Sequence, residues 1–262
     1  MWFTVQAYLP EPITLLGKGR SVRSEDALAN IDVAVLAGGL GTRIRGVLGD
    51  TPKVLAPIAG RAFLGHLLDY LSTYGSRRVV LCLGHLADRV TAWLARGDSA
   101  GTIDVVCQIE PRPLGTAGAL GYVRKELRSS TILVVNGDTF LDADLRAFIA
   151  SHRLSGAEAS VLCVTVEDAS RFVRVEIGPD SRIRSFPAKA AGAGTINAGV
   201  YLFSAAFLDR FIAAGAVSLE RDVLEKLPPG TLNAHVAKAR FLDIGTPESL
   251  ATAASVIAGR ET

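Results

Sequence analysis

Two kinds of apolar spacing alternate along the chain. Val33, Val35 and Leu36 form a short, largely β-branched run that stops at Gly38-Gly39, the pattern of a buried strand meeting a turn. Residues 63–74 then carry Phe63, Leu64, Leu67, Leu68 and Leu71 at helical spacing. The same reading predicts strands over 78–83, 103–108 and 131–136, with helices over 86–95 and 116–127 between them. Strands alternating with helices imply a largely parallel sheet covered by helices on both faces. After Asp144 the rhythm changes. Segments 160–166, 172–177, 183–186 and 196–203 read as strands with few helices between them, which predicts an antiparallel or mixed extension. Helices are expected again over 219–227 and 248–258. The predicted class is α/β: three layers, a mostly parallel mixed sheet, and a small β extension.

Neither a repeat nor a linker interrupts the 262 residues, so one domain over 31–262 is expected, preceded by an extension over 1–30. The extension lacks a strong period, and residues 1 to about 28 are expected to be dispensable. Apolar residues make up 49% of the chain, enough to bury a substantial core, yet no run reaches the length of a membrane span. The first residues lack the basic stretch of a secretory signal. A net charge of +2 is too small to argue for nucleic acid or a membrane surface as partner, and the basic group Lys18, Arg20, Arg23 reads as a solvated tail. Cys82, Cys107 and Cys163 each sit in an apolar run, as reduced core thiols of a cytoplasmic protein would.

Chemistry first shows between residues 38 and 53. Gly38, Gly39 and Gly41 let backbone N–H groups approach a ligand, and Arg43, Arg45 and Lys53 supply positive charge. A long loop at the C-terminal end of a first parallel strand is the usual place for a polyphosphate. Two common phosphate motifs are excluded. No Gly-x-x-x-x-Gly-Lys-Ser/Thr run exists, and a Gly-x-Gly-x-x-Gly reading from Gly39 finds Ile44 where its third glycine belongs. What remains is Gly-Gly-x-Gly-Thr-Arg followed by Pro52-Lys53.

Further islands follow strands. Leu114-Gly115-Thr116-Ala117-Gly118 opens a helix with small residues, either as an ordinary helix start or as a surface on which a base or ribose lies. Asn136-Gly137-Asp138 ends a strand on a carboxylate, either a turn residue or a hard oxygen ligand suited to Mg²⁺. Lys189 follows the strand over 183–186. Gly199 interrupts the strand that carries Asn197, which fits a bulge or a closely approaching ligand. Asp243 precedes a helix whose start, Thr246-Pro247-Glu248, is accounted for by capping alone.

In their order along residues 32 to 255, these islands resemble the sugar-1-phosphate nucleotidyltransferases. Gly38 to Arg43, Thr51-Pro52-Lys53, Glu110 with Pro113-Leu114-Gly115-Thr116, Asn136 to Phe140, Ile196 to Tyr201 and Asp243 to Pro247 carry the resemblance, the first, third and last of them being characteristic of the wide family. Ser218-Leu219-Glu220-Arg221-Asp222 beside Asp243-Ile244-Gly245-Thr246-Pro247 is similar to the heptose-1-phosphate guanylyltransferase branch, which serves capsule or surface polysaccharide. The chain departs from the family at Phe172-Val173, where Tyr-Gly is usual, and near Ala188, where an acidic residue precedes the lysine.

The resemblance implies a Rossmann-like nucleotidyltransferase fold and the reaction NTP + sugar 1-phosphate → NDP-sugar + pyrophosphate, with GTP as the favoured NTP. It assigns Arg43, Lys53 and Lys189 to catalysis. Leu36, Ala37, Gly38, Gly39, Gly41, Thr42, Glu110, Gly115 and Thr116 would bind the nucleotide, and Asn136, Asn197, Gly199 and Glu220 the sugar. Asp138 and Asp243 would hold Mg²⁺. Glu110 either is a solvated residue before Pro111 or faces guanine, because a carboxylate only accepts hydrogen bonds and guanine offers two donors on one edge. Two alternatives stay open: a uridylyl-, thymidylyl- or cytidylyltransferase for another sugar, and a catalytically silent relative that senses sugar nucleotides. A homo-oligomer is also left open.

Overall fold

The computed structural model describes residues 26–97 and 103–258. The basic group at Lys18, Arg20 and Arg23, and most of the expected extension, lie outside the described residues. In chain order the first half comprises β1 (Asp32–Ala37), α1 (Arg45–Leu48), β2 (Pro57–Ile58), β3 (Arg61–Ala62), α2 (Phe63–Thr73) and β4 (Arg78–Leu83). There follow α3 (Ala87–Ala95), β5 (Asp104–Ile109), α4 (Gly115–Val123), β6 (Thr131–Asn136) and β7 (Thr139–Leu141). The second half adds α5 (Leu145–Ser155), β8 (Ala159–Val166), β9 (Glu176–Ile177), β10 (Ile183–Ser185) and β11 (Gly194–Ser204). It ends with α6 (Ala205–Ala213), β12 (Asn233–Ala237), β13 (Phe241–Asp243) and α7 (Pro247–Ala258).

Seven strands form the central sheet in the order β12-β8-β11-β6-β1-β4-β5. β1 pairs in parallel with β4 and β6, β4 with β5, and β12 with β8; β11 alone runs against both of its neighbours. Both faces are covered. Val33, Val35, Leu81, Leu133 and Val135 point into one core with α2, α3, α5 and α7. Ala34, Val80, Cys82, Ile132 and Val134 point into the other, with α4, α6 and the segment around Leu219. Burial on both faces is why these strands read as unbroken apolar runs. The chain proceeds outward from β1 through β4 to β5 and returns to the other side of β1 as β6. That reversal opens a crevice beyond the C-terminal ends of β1 and β6, the position where open α/β sheets bind ligands.

The second half holds more helix than its apolar pattern suggested. α5 is capped by the Asp144 carboxylate, which accepts from the Arg146 N–H at 2.9 Å, and it buries Leu145, Phe148, Ile149 and His152 on one stripe. α6 is capped likewise by Ser204 and buries Phe207, Leu208 and Phe211. Within 172–177 only Glu176–Ile177 is a strand, because Phe172 turns aside to stack edge-on against Phe241. The helix expected over 219–227 is a single wide turn over Leu219–Val223 and a tight one over Leu224–Lys226. The loop after β1 contains a tight turn at Thr42–Ile44 and the four-residue α1. Leu28 is fully buried and donates its N–H to the Tyr74 carbonyl at 2.9 Å, so the core begins within the expected extension. All three cysteines are free thiols; burial pushes Cys82 and Cys163 up to about 12, which leaves them unreactive.

Candidate active site

A cavity of about 400 Å³ occupies the crevice, walled by the segments that follow β1, β4, β5 and β6. Leu36, Ala37, Gly38, Gly39, Gly41, Thr42, Arg43, Lys53, Glu110, Gly115, Thr116, Asn136 and Asp138, all expected from sequence, line it. His85 and Leu86, which sequence reasoning missed, line it as well. The signal for them was available: Gly84-His85-Leu86 ends a central parallel strand, and every such strand end opens toward the crevice.

Glu110 stands at the end of β5 and turns inward. Its Oε2 accepts from the Leu114 N–H at 3.2 Å. Its Oε1 lies so close beneath two turns that a Cβ would come within 2.8 Å of it at Gly38 and within 2.6 Å at Gly84. Glycine at both positions is therefore what admits this carboxylate to the cavity wall. Burial raises its pKa above the ordinary carboxylate value, against the lowering effect of the Leu114 N–H.

The Gly115-Thr116 turn lines the cavity and is also fastened to the segment around Val217. Gly115 has φ +76, and a Cβ there would meet the Val217 carbonyl oxygen at 2.5 Å. That carbonyl accepts from the Ala117 N–H at 2.9 Å, so α4 spends its N-terminus on the protein itself. The Thr116 hydroxyl accepts from the Leu219 N–H at 2.7 Å and donates to Glu220 Oε2 at 3.2 Å. Thr116 is on the wall, yet its hydroxyl ties the nucleotide side of the cavity to Glu220.

Behind that wall the sugar-assigned residues form one connected group. Tyr201 accepts from the Asn197 amide at 3.0 Å and donates to Glu220 Oε1 at 3.4 Å. Burial, with the Glu220 charge adding, pushes the Tyr201 hydroxyl well above its usual pKa, so it stays a donor. Asn197 Oδ1 accepts from the Gly199 N–H at 2.9 Å, and Gly199 lies directly against the Asn136 side chain. Asn136 Oδ1 is buried without a hydrogen-bond partner among the described residues, the mark of an atom awaiting one. Asn197, Gly199 and Glu220 therefore support the cavity from one layer back.

Lys53 leaves the loop after β1 and places its ammonium between two carboxylates. It pairs with Asp138 Oδ2 and lies 4.0 Å from Asp243 Oδ1. Asp243 comes from far along the chain. The antiparallel pair β7–β13 sets it opposite Thr139, and the Ile244 N–H donates to the Asp138 carbonyl at 3.0 Å. Asp243 Oδ1 also accepts from the Gly245 N–H at 2.7 Å, and Arg171 approaches its Oδ2 at 3.4 Å. A Cβ at Gly245 would lie 3.2 Å from Lys53 Nζ and 3.3 Å from an Arg43 guanidinium nitrogen, so both cations crowd the same spot. Two hard carboxylates bracketing a cation form a donor set that fits Mg²⁺. Among the described residues no third His, Cys, Asp or Glu completes a metal cluster. Lys189 is not on the wall; it is exposed and donates to the Arg171 carbonyl at 2.9 Å.

Known proteins resemble the chain over most of its length. The chain is 30% identical over 220 residues to a D-glycero-α-D-manno-heptose 1-phosphate guanylyltransferase of Aneurinibacillus thermoaerophilus, covering 83% of this chain and 94% of that one. It is 33% identical over 227 residues to a mannose-1-phosphate guanylyltransferase of Mycobacterium tuberculosis, covering 85% of this chain but spanning only 63% of that relative's length. Among solved structures, HddC from Yersinia pseudotuberculosis complexed with GMP-PN superposes with a TM-score of 0.77 at 34% identity, covering 86% of this chain and 98% of that one. Residues 33–259 match the nucleotidyl transferase family model, and the chain belongs to that family.

Proposed function

We propose that the protein joins GTP to a sugar 1-phosphate, D-glycero-D-manno-heptose 1-phosphate, releasing pyrophosphate and the GDP-sugar. One observation carries the reading: a single cavity is lined both by an acceptor-only carboxylate, Glu110, and by the Lys53–Asp138 pair, with Asp243 off the wall but 4.0 Å from the Lys53 ammonium. The first suits guanine; the second suits phosphoryl transfer. Heptose is favoured over mannose because the chain spans nearly the whole of the heptose relative and under two thirds of the mannose one.

In the reaction, an oxygen of the sugar phosphate attacks the α-phosphorus of GTP, and the bond from that phosphorus to the bridging oxygen of the leaving pyrophosphate breaks. The nucleophile is already anionic, so positioning and charge stabilisation do the work, and no general base is required. The glycine turn at 38–41 shapes the wall for the triphosphate, with Arg43 and Lys53 neutralising the charge that develops on the leaving group. Asn136 stands on the cavity wall, where its side chain would face a sugar or ribose, and Glu220, held by Thr116 and Tyr201, stands behind it. Lys189 belongs to the sugar phosphate from the far rim. Asp138 and Asp243 would hold Mg²⁺, which when bound supplies charge neutralisation at the reacting phosphates. No helix among the described residues is long and apolar enough to cross a membrane, and a cytoplasmic setting, where nucleoside triphosphates are at hand, fits the reading.

The test is pyrophosphate release by the purified protein with Mg²⁺ across GTP, ATP, UTP, CTP and dTTP and a panel of sugar 1-phosphates. GDP-heptose is identified by mass spectrometry. GTP binding without turnover of any sugar phosphate would favour a sensing role, and a clear win for another NTP would overturn the choice of base.

A further inference from the structure

Arg171 is the contact between the β extension and the centre of the site, and sequence reasoning did not single it out. Its guanidinium lies 3.4 Å from Asp243 Oδ2 and 5.4 Å from the Phe172 ring centroid, and Phe172 stacks edge-on at 5.2 Å against Phe241, two residues before Asp243. Its backbone carbonyl holds the Lys189 ammonium at 2.9 Å. One residue thus fastens the segment that carries Lys189 to the strand that carries Asp243.

Asp168 and Glu248 also feel the Arg171 charge, but Asp243 is the carboxylate its guanidinium touches. Asp138 is paired with Lys53, and Asp243 with Arg171; Lys53 is close enough to Asp243 to be shared. A divalent cation on the two carboxylates would cancel their charge and release the Lys53 ammonium and the Arg171 guanidinium from these contacts. Lys53 comes from the loop that faces the triphosphate. Arg171 comes from the segment between β8 and β9, beside Lys189, and its side chain is 39% exposed. Guanidinium is the cation best shaped for a phosphate, because its fork can donate two parallel hydrogen bonds.

We propose that Arg171 is an exchangeable counter-ion: it holds Asp243 until a divalent cation takes that carboxylate, and then binds the phosphate of the sugar 1-phosphate alongside Lys189. The inference rests on the proposed nucleotidyl transfer and adds a residue and an order to it. The nucleotide's metal enters first and prepares the receptor for the second substrate.

The experiment compares the full-length protein with Arg171→Gln, Arg171→Lys and a control, Arg174→Gln, which removes the same charge three residues away at a side chain bonded to the Ala193 carbonyl. Mn²⁺ binding without substrates is read from the loss of its electron paramagnetic resonance signal, and initial rates give KM for each substrate. Arg171→Gln should bind Mn²⁺ about two- to fivefold more tightly, because a partly exposed competing ion pair has gone. Its KM for the sugar 1-phosphate should rise by about tenfold or more, with KM for GTP and kcat changed less than about threefold. Arg171→Lys should recover part of both, and Arg174→Gln should change neither. Unchanged or weaker Mn²⁺ binding in Arg171→Gln, or an unchanged KM for the sugar phosphate, overturns the inference. A wild-type protein that turns over no sugar phosphate would instead sink the proposed reaction, and the Mn²⁺ comparison would still read on Arg171.

Discussion

Replacing Glu110 by Gln changes almost nothing in shape and one thing in chemistry: an oxygen that only accepts becomes a nitrogen that only donates. In the wild type, one hydrogen bond to Oε2 is used by Leu114, which leaves Oε1 and the second lone pair of Oε2 for the cavity. Guanine's N1–H and N2–H can fill both. With glutamine, one of the two donors meets an N–H instead, so one charge-assisted hydrogen bond is lost. Such a bond contributes about 1.5–3 kcal/mol, a loss of about 10- to 150-fold in kcat/KM for GTP. ATP should lose nothing, because adenine presents an acceptor where guanine presents N1–H. The assay is kcat/KM for GTP and ATP with the same sugar 1-phosphate, in wild type and variant. Acidity gives an independent check. Burial raises the Glu110 pKa, so the wild-type GTP-over-ATP ratio should fall on acidification at a higher pH than an exposed carboxylate would give. Titration of substrate phosphates is common to both nucleotides and cancels in the ratio, and the glutamine variant should lose this acid limb. A variant that keeps the wild-type ratio at neutral pH would refute the base-reading role.

Lys53→Ala should lower kcat by more than about tenfold with the fold retained, since it removes charge stabilisation from the leaving pyrophosphate; near wild-type turnover in a folded protein would remove Lys53 from catalysis. Deleting residues 1–25 should preserve activity, whereas extending the deletion through Leu28 should cost about 2–5 kcal/mol of stability, read as urea midpoints of the two truncations. Tyr201→Phe should lower stability by about 1 kcal/mol and raise KM for the sugar 1-phosphate several-fold, on the order of the loss of one hydrogen bond, with KM for GTP little changed. An equal rise in both KM values would mean the Tyr201 hydroxyl supports the whole cavity and not the sugar side.

What was legible in the sequence was what is local. β1 stopping at Gly38 and β6 stopping at Asn136-Gly137-Asp138 are each written in a single stretch, apolar run followed by turn, and both lie where expected. The two helices missed in the second half had signals of their own: Asp144 before Leu145 and Gly156 after Ser155 for α5, and Ser204 before α6. An expected antiparallel extension outweighed them. Residues 172–177 misled for a physical reason. Phe172, Val173, Val175 and Ile177 are what a strand would carry, and Arg174 does bridge to Ile196, but the ring of Phe172 serves a contact with Phe241 and regular strand is confined to the last two residues.

The partnerships inside the site were not legible, because they are made by pairing between short segments distant in the chain. Asp243 reaches Asp138 only because two three-residue strands, too short for any periodicity, pair as β7 and β13. Glu220 reaches Thr116 because a carbonyl at Val217 caps α4 and demands glycine at 115. Residue identity therefore reported which side chains could do the chemistry, while the topology decided which of them meet. Arg171 illustrates the difference: as a sequence position it is one of many exposed arginines, and only its 3.4 Å approach to Asp243 gives it a part in the site. The same geometry explains how two carboxylates can stand side by side within a partly buried crevice. Repulsion between them would raise the cost of folding unless each had an opposite charge within reach. Lys53 and Arg171 supply those charges, so the cations that stabilise the carboxylate pair are also those proposed to bind phosphate.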